Sequence, residues 1–208
     1  MDDFGLYIII TEPLLPYSQI AKICVEEEIR IIQLREKNLK DSEIVTIGKE
    51  ILQITRDTGT KLIINDRPDL AAMIGADGYH LGQDDLSLSR SRKIYPQASL
   101  VGLSTHNPEQ VKRALELKPD YLGFGPLYNT PTKKIPDPVT GVVQLTKILQ
   151  FVKFPVVAIG GIDNTNLEEV LQGGAQNIAL VRYFMQTKFF QERIREVKEI
   201  CQQYWRKP

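Results

Sequence analysis

The sequence predicts an α/β fold, a single (β/α)8 TIM barrel occupying residues 1–208, and three observations predict it. Eight short apolar, β-branched runs recur at 6–11, 30–35, 61–65, 78–81, 100–104, 121–125, 155–160 and 177–181. Stretches with helical spacing separate them, and strands alternating with helices imply a parallel sheet. A chain of 208 residues leaves eight such units little room for insertions, so a compact closed barrel fits better than a doubly wound open sheet.

The first run, Leu6-Tyr7-Ile8-Ile9-Ile10, reads as a buried strand and is too short to span a bilayer. It follows Met1-Asp2-Asp3, acidic where a secretory leader is basic, so a cytoplasmic protein is expected. Among the helical stretches, Ile44, Ile47, Ile51 and Ile54 place an apolar stripe on one face. Phe190, Ile194, Val197, Cys201 and Tyr204 do the same in the last segment. Asn107-Pro108 reads as a helix start with proline at the opening position, and Asn164 as another start. Gly173-Gly174 reads as a stop. No linker, low-complexity tract or second domain interrupts the pattern.

Composition narrows the function classes. The chain is 42% hydrophobic and 25% charged, as a soluble globular protein is. Lys+Arg and Asp+Glu number 26 each, so no global field draws in a nucleic acid or an anionic membrane. Cys24 and Cys201 lack metal-ligand spacing and read as buried, inert thiols. The expected partners are small-molecule substrates, with self-association into a homo-oligomer left open.

In such a barrel, chemistry gathers where strands run into the loops that follow them. Gln33-Leu34-Arg35-Glu36-Lys37 ends the second strand, and alternation sends Gln33, Arg35 and Lys37 to one side. An inward Arg and Lys there face an anion, or else form a rim ion pair with Asp66 or Asp85. Asn65-Asp66 ends the third strand and Asp84-Asp85 follows the fourth. Carboxylates from adjacent strands suit Mg2+, which keeps part of its shell for water and substrate phosphate. The alternative is that Asp84 or Asp85 caps a helix beginning near Leu86.

Thr130-Pro131-Thr132-Lys133-Lys134 lies in a long Pro-rich loop running to Gly141. Its hydroxyls, amides and lysine are good phosphate ligands, and its length suggests a lid; a solvated surface loop is the competing reading. Gly160-Gly161-Ile162 closes the seventh strand, where backbone amides of such barrels often meet a phosphate, although a tight turn alone needs the same residues. His80 either lines the pocket beside a flat ring or is structural, and His106 follows Ser104-Thr105 in the next loop. No Ser-His-Asp or Cys-His order presents itself, so a covalent nucleophile has no support.

IQLREK, INDRPDLA, GYHLGQDD, GLSTH, DYLGFGP followed by TPTK, and VVAIGGI together resemble the thiamine phosphate synthase family, in that family's order and over essentially the whole chain. The resemblance implies Mg2+ as cofactor, and condensation of hydroxymethylpyrimidine pyrophosphate with hydroxyethylthiazole phosphate. It places Gln33, Arg35, Lys37 and Asn65 on the pyrophosphate or its pyrimidine, and Asp66 and Asp85 on Mg2+. It puts Ser104 and Lys133 beside the reacting carbon, and Thr130, Thr132 and the Gly161 backbone on the thiazole phosphate.

One stretch departs from the family pattern. Where many members have a small residue after the eighth strand, this chain has Leu180-Val181-Arg182-Tyr183. Arg182 is expected either to touch the phosphate directly or to pair with a rim carboxylate. The related thiazole tautomerase is the nearest alternative, but it carries a His after the sixth strand, where this chain has Gly125-Pro126. A non-catalytic regulatory barrel is the other.

Overall fold

A computed structural model describes residues 2–130 and 138–205. Eight parallel strands close on themselves in sequence order, from β1 (Gly5–Ile10) through β2 (Ile31–Leu34), β3 (Lys61–Asn65), β4 (Gly78–Leu81), β5 (Leu100–Thr105), β6 (Tyr121–Phe124) and β7 (Val156–Ile159) to β8 (Asn177–Ala179). Helices α1 (Tyr17–Glu26), α2 (Asp41–Thr55), α3 (Pro68–Ile74), α4 (Leu88–Ile94), α5 (Pro108–Leu117), α6 (Gly141–Leu149) and α7 (Leu167–Gln172) follow strands one to seven. The short α8 (Val181–Met185) and the long α9 (Phe190–Gln202) complete the ring.

The eight apolar runs are thus the eight strands, and alternation divides their side chains between two cores. Outward residues such as Ile8, Ile32, Leu62 and Leu122 join the helices in one large shell. Inward residues, among them Tyr7, Ile9, Ile31, Ile63, Leu100, Tyr121 and Val157, fill the barrel as a separate cluster. The barrel is therefore plugged below and open for chemistry above.

Closure needs β8 beside β1, and Asn177 secures it. This buried side chain accepts from the backbone N–H of Phe4 at 2.6 Å and of Gly5 at 3.1 Å, and donates to Asp3 at 2.7 Å. A second fastening joins α9 to the end of α1. Glu27, 8% exposed, accepts from Gln191 at 2.9 Å and Arg195 at 2.7 Å, while Lys198 donates to its carbonyl at 2.8 Å. Glu27→Ala should therefore cost about 1–2 kcal/mol, discounted for the exposed Arg195. Thermal unfolding checks this: a melting temperature lowered by a few degrees is expected, and an unchanged one removes Glu27 from the closure.

Several boundaries differ from those the sequence suggests. Asn107 caps α5 as expected, accepting from Gln110 N–H at 2.9 Å. Helix α7, however, starts at Leu167 rather than near Asn164. Asn166 decides this, because its amide accepts from Asp163 N–H and donates to the Gly161 carbonyl, holding 161–166 as a turn. Helix α4 begins at Leu88 after Ser87, so neither Asp84 nor Asp85 caps it. Strand β8 ends at Ala179, not Val181, and Arg182 lies on α8 instead of at a strand end. Cys24 and Cys201 are free and buried, and burial pushes the Cys201 thiol up to about 12. No helix among the described residues is long and apolar enough to cross a membrane.

Candidate active site

The carboxyl ends of β2 to β5 converge on a charged rim. Beyond β3 the chain turns sharply at Asp66, which takes a left-handed φ of 61° that aspartate tolerates better than most residues. Its N–H is held by the His80 carbonyl at 2.8 Å, and Pro68 then opens α3. The turn leaves the Asp66 carboxylate 3.2 Å from the Lys37 ammonium. On its other side stands Asp85, anchored by Gly82 N–H at 2.6 Å. Burial, and then the Asp66 carboxyl against it, push Asp85 up to about 6, with Lys37 opposing. Two carboxylates and one lysine thus share a small space, with the rim ion pair offered for this motif formed by Lys37 and Asp66.

Arg67, also in this motif, is committed elsewhere: it grips Asp41 through both terminal nitrogens at 2.8 and 2.9 Å and Asp69 at 2.7 Å. Arg35 is different. It lies just past β2, half-buried, and has no ion-pair partner among the described residues. Gln33 is buried within the barrel rather than at the rim.

Below the rim, a row of hydrogen bonds crosses the barrel interior. Gln33 Nε2 donates to the Tyr7 hydroxyl at 2.6 Å, and that hydroxyl lies 2.7 Å from the hydroxyl of Tyr121. Tyr121 meets His80 Nδ1 at 3.0 Å, and His80 Nε2 meets Ser104 Oγ at 2.8 Å. Burial raises both tyrosine hydroxyls well above their ordinary range, so they remain protonated. Ser104, next to last in β5, is half-buried, with Gln83 bonded to its carbonyl at 2.6 Å. Sequence reasoning missed Tyr7 and Tyr121, although both stand on the inward side of their strands.

The opposite side of the mouth is built from the ends of β6 and β7. Leu127 and Tyr128 N–H bond to the Ile159 and Gly160 carbonyls at 3.0 and 2.9 Å, extending the sheet into the loops. Gly160 and Gly161 both have positive φ, and a Cβ on either would collide with Pro126 or with Tyr128. Packing of these loops therefore requires both glycines and keeps the backbone bare at that point. Thr130 is half-buried at the edge of this region. Thr132 and Lys133 lie outside the described residues.

A sequence profile described as thiamine monophosphate synthase matches residues 6–184. The chain belongs to the thiamine monophosphate synthase family. A thiamine-phosphate synthase of Lawsonia intracellularis is 38% identical over 95% of this chain and 92% of its own. One from Thermus thermophilus is 43% identical over 74% of each. Among solved structures, thiamine phosphate pyrophosphorylase from Pyrococcus furiosus superposes with a TM-score of 0.86 at 32% identity, covering 98% of both chains. Barrels as distant as the 3-hexulose-6-phosphate synthase of Salmonella typhimurium, at 15% identity and a TM-score of 0.71, share the fold alone.

The resemblance seen in the motifs is thus one of family, and it makes the chain a transferase of thiamine biosynthesis. Within this family frame the departure at 180–183 becomes concrete. Arg182 is exposed on the first turn of α8 and has no ion-pair partner among the described residues. Of the two alternatives for this residue, the rim ion pair thus finds no carboxylate among the described residues. The neighbouring Tyr183 is occupied, with its hydroxyl donating to Glu196 at 3.0 Å and the Arg193 guanidinium 4.4 Å above its ring.

Proposed function

We propose that the protein joins hydroxymethylpyrimidine pyrophosphate to hydroxyethylthiazole phosphate, releasing pyrophosphate and thiamine phosphate, with Mg2+ held by Asp66 and Asp85. The observation that carries this reading is the crowding of those two carboxylates beside Lys37. Such a cluster repels itself, and a divalent cation that accepts few protein oxygens relieves it. Bound there, Mg2+ supplies neutralising charge for the departing pyrophosphate.

The chain's own residues do the rest. Arg35 and Lys37 hold pyrophosphate oxygens, the first as a fork and the second as a point charge. Gln33, Asn65 and His80 border the pyrimidine, and Ser104 with Lys133 donate to the leaving group near the reacting carbon. Thr130, Thr132, the bare Gly161 backbone and Arg182 receive the thiazole phosphate. The carbon–oxygen bond to pyrophosphate breaks first, leaving its electron pair on oxygen and a cation on the pyrimidine methylene. The thiazole ring nitrogen then captures that cation. Donors fixed around the leaving oxygens favour this order, and proximity completes it. No protein nucleophile is needed.

Incubation with both substrates and Mg2+ tests the proposal. Equimolar thiamine phosphate and pyrophosphate are expected, and removing divalent metal with EDTA should abolish both. Efficient isomerisation of a thiazole carboxylate phosphate with no coupled product would instead make the protein a tautomerase.

A further inference from the structure

We infer that Gln33, Tyr7, Tyr121 and His80 form a one-way hydrogen-bond relay that holds His80 as its Nε2–H tautomer and turns the Ser104 hydroxyl hydrogen toward the barrel mouth. The direction follows from counting hydrogens. The Gln33 amide nitrogen only donates, so the Tyr7 oxygen accepts. Tyr7 then gives its single hydrogen to Tyr121, and Tyr121 gives its own to His80 Nδ1. A nitrogen that accepts carries no proton, so the imidazole hydrogen sits on Nε2 and points at Ser104 Oγ. The serine oxygen is thereby an acceptor on its inner side, and its own hydrogen is left for the mouth.

Reversing the row is costly. Tyr7 would then accept from both Gln33 and Tyr121, and its buried hydrogen would find no acceptor among the described residues. One glycine shows that space has been kept for the row. A Cβ on Gly102 would lie 2.2 Å from Tyr121 Cζ and 2.4 Å from His80 Nδ1, inside their contact.

The consequence for chemistry is a choice of sign. A serine free to rotate can offer either its hydrogen or its lone pairs to an anion. Once one of its lone pairs accepts from His80, the hydroxyl hydrogen is no longer held inward and is left for an anion, as a departing pyrophosphate requires. Tyr7, Tyr121 and His80 are positioning residues in this scheme. Its catalytic use rests on the reading of Ser104 as a pyrophosphate contact, but the relay itself does not.

The two histidines make the test direct. His106 Nδ1 faces the Gly125 carbonyl, which can only accept, so a neutral His106 must be the opposite tautomer. Protein labelled with 15N-histidine, without substrates, should show one histidine of each tautomer in a long-range 1H–15N correlation spectrum. Two Nδ1–H histidines, or a doubly protonated His80 at neutral pH, would overturn the relay. In Tyr121→Phe, the His80 nitrogens should shift toward a tautomer mixture, and kcat should fall roughly tenfold with little change in either KM. Gly102→Ala, which retains every polar group but parts the rings, should do the same. If both variants leave the His80 nitrogens and kcat unchanged, the relay is wrong. A correct spectrum from a protein that makes no thiamine phosphate would sink the proposed function and leave the relay standing.

Discussion

Asp85→Asn should lower turnover by roughly a hundredfold, about 3 kcal/mol of lost transition-state stabilisation, while raising the melting temperature of the metal-free protein. The two effects have one origin. Asp85 stands against Asp66 in a partly buried space where Lys37 balances only one of them. Asparagine keeps an oxygen to accept from Gly82 N–H, so the local turn survives. It removes a charge from the proposed metal site and, with it, the repulsion. Asp84→Asn is the control: exposed and without a capping role, it should change turnover little.

The stability gain has a defined pH window. Burial and Asp66 raise the Asp85 carboxyl to about 6, above its ordinary value of 3.8. A raised acid binds its proton more tightly in the folded state, so its stabilising contribution is complete below the ordinary value. That contribution is lost as pH climbs through the folded one. With metal removed, the gain from Asp85→Asn should therefore be largest above pH 6 and shrink below about pH 4. Melting curves in EDTA across that range decide it. A variant no more stable than the parent at pH 8 would mean that the carboxylates do not strain one another. Normal turnover at limiting Mg2+ would remove Asp85 from the metal site.

The contrast between the strands and their ends explains what could be read beforehand. Strands buried on both faces leave near-continuous apolar runs, so β3 and β4 fall at the expected residues. The end of β8 was not legible, because Val181 is as good a strand residue as Ile178. Only its place above the closed barrel makes it the first residue of α8. The helix start at Asn166 was hidden for a similar reason. Asn164, Thr165 and Asn166 are all plausible caps, and the choice depends on a bond to the Gly161 carbonyl. At the rim, charged residues after apolar strands made Lys37, Asp66 and Asp85 candidates, and these three do cluster. The row beneath them was invisible, because Tyr7 and Tyr121 stand 114 residues apart and meet only once the barrel closes. Period-two alternation predicts that each faces inward; it says nothing about which inward residue each will touch.

Arg182→Ala should raise the KM for hydroxyethylthiazole phosphate roughly tenfold or more, and Arg35→Ala should do the same for the pyrimidine pyrophosphate. Strands β2 and β8 flank β1 on opposite sides, so the two guanidiniums leave the barrel one strand apart on either side of it. Neither has an ion-pair partner among the described residues, whereas Arg67 and Arg195 are each tied to carboxylates. A cation left unpaired at the rim of a phosphate-handling barrel gives up only hydration on binding an anion, since no protein ion pair must break first. Charge-assisted contacts of this kind contribute about 1.5–3 kcal/mol, which sets the tenfold floor. Because Arg35 lies between Gln33 of β2 and Lys37 in the loop beyond it, the anion proposed for it is the one beside Asp66 and Asp85. Arg182 sits past β8, the strand paired with β7, whose end carries the bare backbone of Gly160 and Gly161. Each variant should therefore raise one Michaelis constant and spare the other, measured by varying each substrate with its partner saturating. Equal and small changes in both constants for Arg182→Ala would leave that residue a bystander and return the thiazole phosphate to Thr130 and the Gly161 backbone.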